Sequence, residues 1–117
     1  MQLKISTRIV DGVMIVDCAG RLVFGEESAY LRDTVKKLIV EKKHLVLNLS
    51  GITFVDSGGL GTLVALYTTA QNSGSRIKLA NLTQRVGDLL HLTKLVTIFE
   101  IFDSEQLAVD SYKGTAA

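Results

Sequence analysis

Val55-Asp56-Ser57-Gly58-Gly59-Leu60-Gly61 is the stretch on which the fold turns. It is a small polar turn between an apolar run and an amphipathic one. Before it, His44 to Leu49 is short and apolar, the pattern of a buried strand. After it, Leu60, Leu63, Val64 and Tyr67 recur at the spacing of one helical face. The stretch therefore reads as a strand-to-helix corner with Ser57 at a helix N-terminus. Asp56 or Ser57 can cap the first turn by accepting a backbone N–H, while Gly58, Gly59 and Gly61 keep that turn free of large side chains. Each glycine in a helix interior costs about 1 kcal/mol against alanine. Two readings of that cost stand side by side. Either the glycines serve tight helix-on-sheet packing and Ser57 is only a cap, or the bare turn lets another macromolecule reach the hydroxyl.

Upstream of the corner, Leu3, Ile5, Thr7 and Ile9 alternate with polar residues, Asp11-Gly12 supplies a two-residue turn, and Val13 to Ala19 forms a second strand. This is an opening β-hairpin. Gly20 to Gly25 interrupts the strand pattern, and Leu31, Val35, Leu38 and Ile39 then mark a helix from about Glu26 to Val40. Glu26 and Glu27 near its start, and Lys42 and Lys43 past its end, suit the helix macrodipole.

Downstream, the central helix is expected to stop near Asn72, where Asn72-Ser73-Gly74-Ser75 offers a left-handed glycine. A fourth strand follows around Ile77 and Leu79. Thr83 caps a short helix carrying Val86, Leu89 and Leu90, and a fifth β-rich run spans Thr97 to Phe102. A last helix opens at Asp103 or Ser104, with Asp103 and Gln106 spaced as a capping box and Leu107 and Tyr112 placed to pack it back. Lys113 to Ala117 is expected to fray. The order predicts an α/β fold: a mixed, mostly parallel five-stranded sheet with about four helices, in which active groups collect at the carboxyl ends of the strands.

Composition bounds the function. With 117 residues, 47% apolar and 21% charged, the chain fits a single domain spanning residues 1–117, with an ordered core at about 3–112. The net charge is +1 and the basic residues are scattered, so neither nucleic acid nor an anionic membrane is the expected partner. Cys18 is the only cysteine and sits in a strand pattern, which excludes a disulfide framework and fits a reducing cytoplasm. The opening residues lack the apolar block of a signal peptide or membrane span.

Catalytic chemistry finds little support. A nucleophilic serine needs a histidine base, and His44 begins the strand whose far end leads to Ser57, while His91 lies beside Leu89 and Leu90 on a helix. Ser57 also lacks the Gly-x-Ser-x-Gly elbow. One cysteine and two distant histidines make no metal-ligand cluster, and Asp17, Asp33 and Asp88 fall on different elements. The glycine corner is not a nucleotide-binding motif, although helix-terminal N–H groups can hold a phosphate. What remains is a hydroxyl open to modification.

Leu45-Val46-Leu47-Asn48-Leu49 followed by Phe54-Val55-Asp56-Ser57-Gly58-Gly59-Leu60-Gly61 resembles the signature of bacterial anti-sigma factor antagonists, members of the STAS domain family. Asn81-Leu82, Leu89 to Thr93 and Ile98 to Ser104 resemble the family's later helix and last strand-helix junction, so the resemblance spans the domain. It implies a phosphoswitch rather than an enzyme. Ser57 is the implied acceptor, an anti-sigma factor serine kinase phosphorylates it, the unphosphorylated form binds that kinase and releases sigma factor, and a serine phosphatase restores the binding form. ATP and magnesium belong to the kinase, so no cofactor is assigned here. A monomer or weak dimer is expected.

Around the corner, Val23, Phe24 and Gly25 from the second strand's exit and Leu60, Thr62 and Leu63 from the helix are the expected partner contacts. Leu60 and Leu63 have a second reading as core residues, and Phe24 can anchor the first helix or offer an aromatic contact. Val23 departs from the acidic residue many antagonists carry there, and Gly58 replaces a hydroxyl residue, leaving Ser57 as the corner's only acceptor. A constitutive binding subunit of a larger regulatory or lipid-transport complex is the alternative function, and weak nucleotide binding a third.

Overall fold

The computed structural model describes residues 1–41 and 44–113. Strand β1 (Leu3–Val10) turns through Asp11 and Gly12, both at positive φ (52° and 80°), into β2 (Val13–Leu22). Val10 faces Val13 across this two-residue turn, whose left-handed geometry matches the twist of the two strands. Helix α1 (Glu26–Glu41) follows, then β3 (His44–Val55), α2 (Ser57–Asn72), β4 (Arg76–Ala80), α3 (Gln84–Leu92), β5 (Ile101–Phe102) and α4 (Glu105–Lys113). The strands lie in sequence order, β1 antiparallel to β2 and every later pair parallel. The expected mixed α/β sheet with an opening hairpin and four helices is what the chain forms.

Alternation divides the strands between two cores. One face carries Leu3, Met14, Val16, Cys18, Leu45, Leu47 and Leu79 against Leu31 and Val35 of α1, Leu63 and Leu66 of α2, and Val86 and Leu90 of α3. The other carries Val13, Ile15, Val46 and Ala80 against Ala108, Val109 and Tyr112 of α4. Cys18 is part of the larger core, and burial pushes its thiol up to about 12. No helix among the described residues is long and apolar enough to cross a membrane.

Several expectations change. Strand β2 runs on to Leu22 instead of stopping at Ala19, because register shifts after Asp17 and at Gly20 absorb the irregular stretch. Gly20, at φ 113°, makes room for the Gln2 carbonyl, which accepts from Arg21 N–H at 2.7 Å. The fifth strand is only Ile101–Phe102, since Lys94 at φ 61° and a 3-10 turn over Leu95–Thr97 redirect the chain. Phe99 leaves the strand pattern to bury itself edge-on against Tyr67, with ring centres 5.4 Å apart.

At α4 the cap is Ser104, whose hydroxyl accepts from Leu107 N–H at 3.1 Å; Gln106 instead donates to Asp110, so the Asp103–Gln106 box does not form. Leu107 is exposed, and Ala108, Val109 and Tyr112 dock the helix. Lys113, the first residue of the tail expected to fray, closes α4 and pairs with Asp11 at 3.0 Å. Lys42, Lys43 and residues 114–117 lie outside the described residues.

Candidate functional site: the corner between β3 and α2

Strand β3 ends at Val55 and α2 begins at Ser57, so the corner stands at the carboxyl rim of the sheet, where parallel α/β folds place their functional groups. Of the two candidate caps, Asp56 takes the role. Its backbone is extended (φ −100°, ψ −176°), its carboxylate accepts from Gly59 N–H at 2.8 Å, and its carbonyl accepts from Leu60 N–H at 3.0 Å.

The same carboxylate does a second job that sequence patterning did not signal. Both of its oxygens accept from Phe24 N–H at 3.1 Å, tying the β2–α1 connection to the corner from 32 residues away. Hydrogen bonds from Gly59 N–H and then Phe24 N–H hold the Asp56 carboxyl below its ordinary value. The corner is thus anionic before any modification.

With Asp56 capping, Ser57 is the first residue of α2 and its side chain is exposed. Among the described residues no hydrogen bond engages its hydroxyl. The three glycines around it are not equivalent. A β-carbon on Gly59 would stand 2.1 Å from the Leu22 carbonyl oxygen, and one on Gly58 would stand 2.6 Å from the Phe24 β-carbon. Those two answer to packing. A β-carbon on Gly61 meets nothing within 4 Å. Gly61, one turn along from Ser57 on the same outward stripe, has no internal reason to be bare.

Of the flanking residues, Phe24 is 81% exposed although its backbone is pinned, Gly25 is exposed at φ 103°, and Val23 is half-buried with its carbonyl accepting from the Ser28 hydroxyl at 2.7 Å. Phe24 therefore does not anchor α1 internally. Leu60, Thr62 and Leu63 correct the expectation of a surface role: all three are buried. The two leucines sit on the stripe of α2 that faces the sheet, and the Thr62 hydroxyl donates to the Gly58 carbonyl at 3.0 Å.

Between α1 and α2 a groove of about 470 Å³ opens beside the corner, bounded by Phe24, Ser28 and Arg32 on one side and by Gly58, Gly61 and Ala65 on the other. Arg32 was not legible as a site residue. Its spacing from Ser28, one turn apart on α1, was the only hint. His44 stacks on Tyr112 at 4.3 Å at the opposite end of β3, and His91 is exposed on α3. Neither comes near Ser57. Among the described residues no three of His, Cys, Asp and Glu gather as metal ligands would.

A capped, glycine-lined corner at the end of a central parallel strand, on a five-stranded sheet opened by a hairpin, defines the class. The chain belongs to the STAS domain family, whose profile matches residues 4–108. Among its relatives, the anti-sigma F factor antagonist of Paenibacillus polymyxa is 30% identical over 107 residues, covering 90% of this chain and 91% of that protein. The anti-sigma-B factor antagonist of Bacillus subtilis is 30% identical over 83 residues, 68% of this chain and 76% of the other. A crystal structure of a candidate anti-sigma factor antagonist from Thermotoga maritima superposes with a TM-score of 0.80 at 26% identity, covering 92% of each chain.

Proposed function

We propose that this protein is a cytoplasmic anti-sigma factor antagonist, not an enzyme, whose docking is switched by phosphorylation of Ser57. The observation that carries the reading is the division of labour at the corner: Asp56 caps α2, so the exposed Ser57 hydroxyl is spare. Relatives named as antagonists of anti-sigma factors, matched over most of their length, supply the partner class. The unmodified protein binds an anti-sigma factor serine kinase and frees sigma factor. That kinase transfers the γ-phosphoryl group of ATP to the Ser57 oxygen, releasing ADP and the hydroxyl proton, and a serine phosphatase reverses the mark.

The energetics favour a switch over unfolding. A phosphate brings roughly −1.5 to −2 charges at neutral pH to a position beside the Asp56 carboxylate. The helix N-terminus favours that anion by about 0.3–1 kcal/mol, which supports the fold. At a docked interface the same group must shed water, and every ~1.4 kcal/mol lost there weakens binding tenfold. Phe24, held in place yet open to solvent, is the proposed aromatic contact, with Gly25 and Val23 beside it.

Intact-mass measurement after incubation with the cognate kinase and ATP tests the acceptor. One phosphate on the wild type and none on Ser57→Ala is expected; phosphate retained in the variant overturns the assignment. Ser57→Asp is expected to fold and to bind the kinase poorly. Unchanged affinity would instead favour a constitutive subunit of a larger assembly.

A further inference from the structure

Among the described residues, Arg32 is the only charged side chain lining the groove between α1 and α2. It is half-buried, yet no hydrogen bond or ion pair engages its guanidinium among the described residues. Its own helix offers no acid at pairing distance: the positions three and four away are Ala29, Ser28, Val35 and Lys36. Side chains on a helix lean toward its N-terminus, so Arg32 reaches back toward the carboxyl rim, where α1 and α2 both begin.

Ser57 lies on that rim, and Gly58, next to it in the chain, and Gly61, one turn along, are walls of the same groove. Gly61 carries no side chain, and a β-carbon there would meet nothing within 4 Å, so the wall of the groove one turn along from Ser57 is open. An arginine is suited to the task, since its planar fork pairs with two phosphate oxygens at once.

We propose that Arg32 is the intramolecular receptor for the Ser57 phosphate: once modified, the serine bridges across Gly58 and Gly61 to the guanidinium and closes the groove beside Phe24. The inference rests on Ser57 being the modified residue and adds how the mark is read. Modification then does more than place charge at an interface, because it also removes the free arginine and the groove from any partner. Asp56, next in the chain, repels the dianion, and Arg32 supplies the opposing charge from α1.

The test installs phosphoserine at position 57 during translation, with no kinase involved, and follows the phosphate by phosphorus NMR against pH. In the otherwise wild-type protein its second ionisation is expected below the ordinary value of about 6. Arg32→Gln is expected to raise it by about half a unit to one unit, the modest end of what a neighbouring arginine does to an anion. Arg32→Lys should give a smaller rise. Arg85→Gln, which removes an exposed arginine from the α3 side of the same rim, should leave the titration in place.

Identical titrations for wild type and Arg32→Gln would overturn the proposal, as would an equal shift from Arg85→Gln, which would signify a diffuse field. A kinase that ignores Ser57 defeats the phosphoswitch but leaves this measurement intact. An unresponsive phosphate defeats the clamp and leaves the phosphoswitch standing.

Discussion

Two helices begin at the same rim of the sheet with a serine close to the first turn, and they use it in opposite ways. At α4, Ser104 is the cap, its hydroxyl accepting from Leu107 N–H. Glu105 behind it is held by Arg8, which also pairs with Asp17 at 2.7 Å, and by Asn48 at 3.0 Å. At α2 the serine stands one position later, Asp56 does the capping, and the next turn carries glycines in place of an ion-pair network. A one-residue difference in where the cap falls turns a structural hydroxyl into an available one.

The contrast can be broken most severely at Gly59. An alanine there would drive a β-carbon into the Leu22 carbonyl oxygen, a backbone atom held in the sheet, and is expected to cost about 3 kcal/mol or to prevent folding, as read by urea denaturation. A stability within ~0.5 kcal/mol of wild type would show that the corner is looser than its geometry implies.

Removing each serine sharpens the comparison. Ser104→Ala should lose about 1 kcal/mol of stability, the usual value for a cap. Ser57→Ala should change stability by less than ~0.5 kcal/mol, because no cap is lost. Equal losses would mean that Ser57 shares the capping and is not spare.

Acid separates the two corners further. Asp56 is held below its ordinary value of 3.8, so the stability it adds is fully present above that pH and disappears as pH falls through its depressed folded-state value. Asp56→Asn is therefore expected to melt below wild type at pH 7, with the gap narrowing below about pH 4. A gap that stays constant with pH would assign the effect to shape rather than charge. One substitution runs the other way: Gly61→Ala should stabilise the protein by roughly 0.5–1 kcal/mol, since alanine suits a helix better and meets nothing there. Reduced kinase binding in that more stable variant would mark Gly61 as kept bare for a partner.

Much of this was legible because it is local. The Asp11-Gly12 turn, the Gly74 stop at φ 77° and the Thr83 cap, which accepts from Val86 N–H, each follow from a few adjacent residues. Other elements depended on what lies across the fold. Val96, Ile98 and Phe99 look β-forming in sequence, but Phe99 gains more by closing the core against Tyr67 than by extending a ladder, which leaves β5 two residues long. Leu107 has the right spacing to dock α4 yet points to solvent, because Ala108, Val109 and Tyr112 set the buried face.

By itself, the sequence determined the order of elements and the position of the corner, since periodicity and turn chemistry act over a few residues. It also carried the resemblance that singles out Ser57. Only the tertiary structure decided which residue caps α2, which glycines are obligatory, that Leu60, Thr62 and Leu63 turn inward, and that Arg32 borders the groove. The reason is physical. Each of those outcomes depends on β2, its exit loop or α1 coming to rest against α2: Leu22 and Phe24 press on the glycines, and the Phe24 N–H claims the carboxylate that frees the serine.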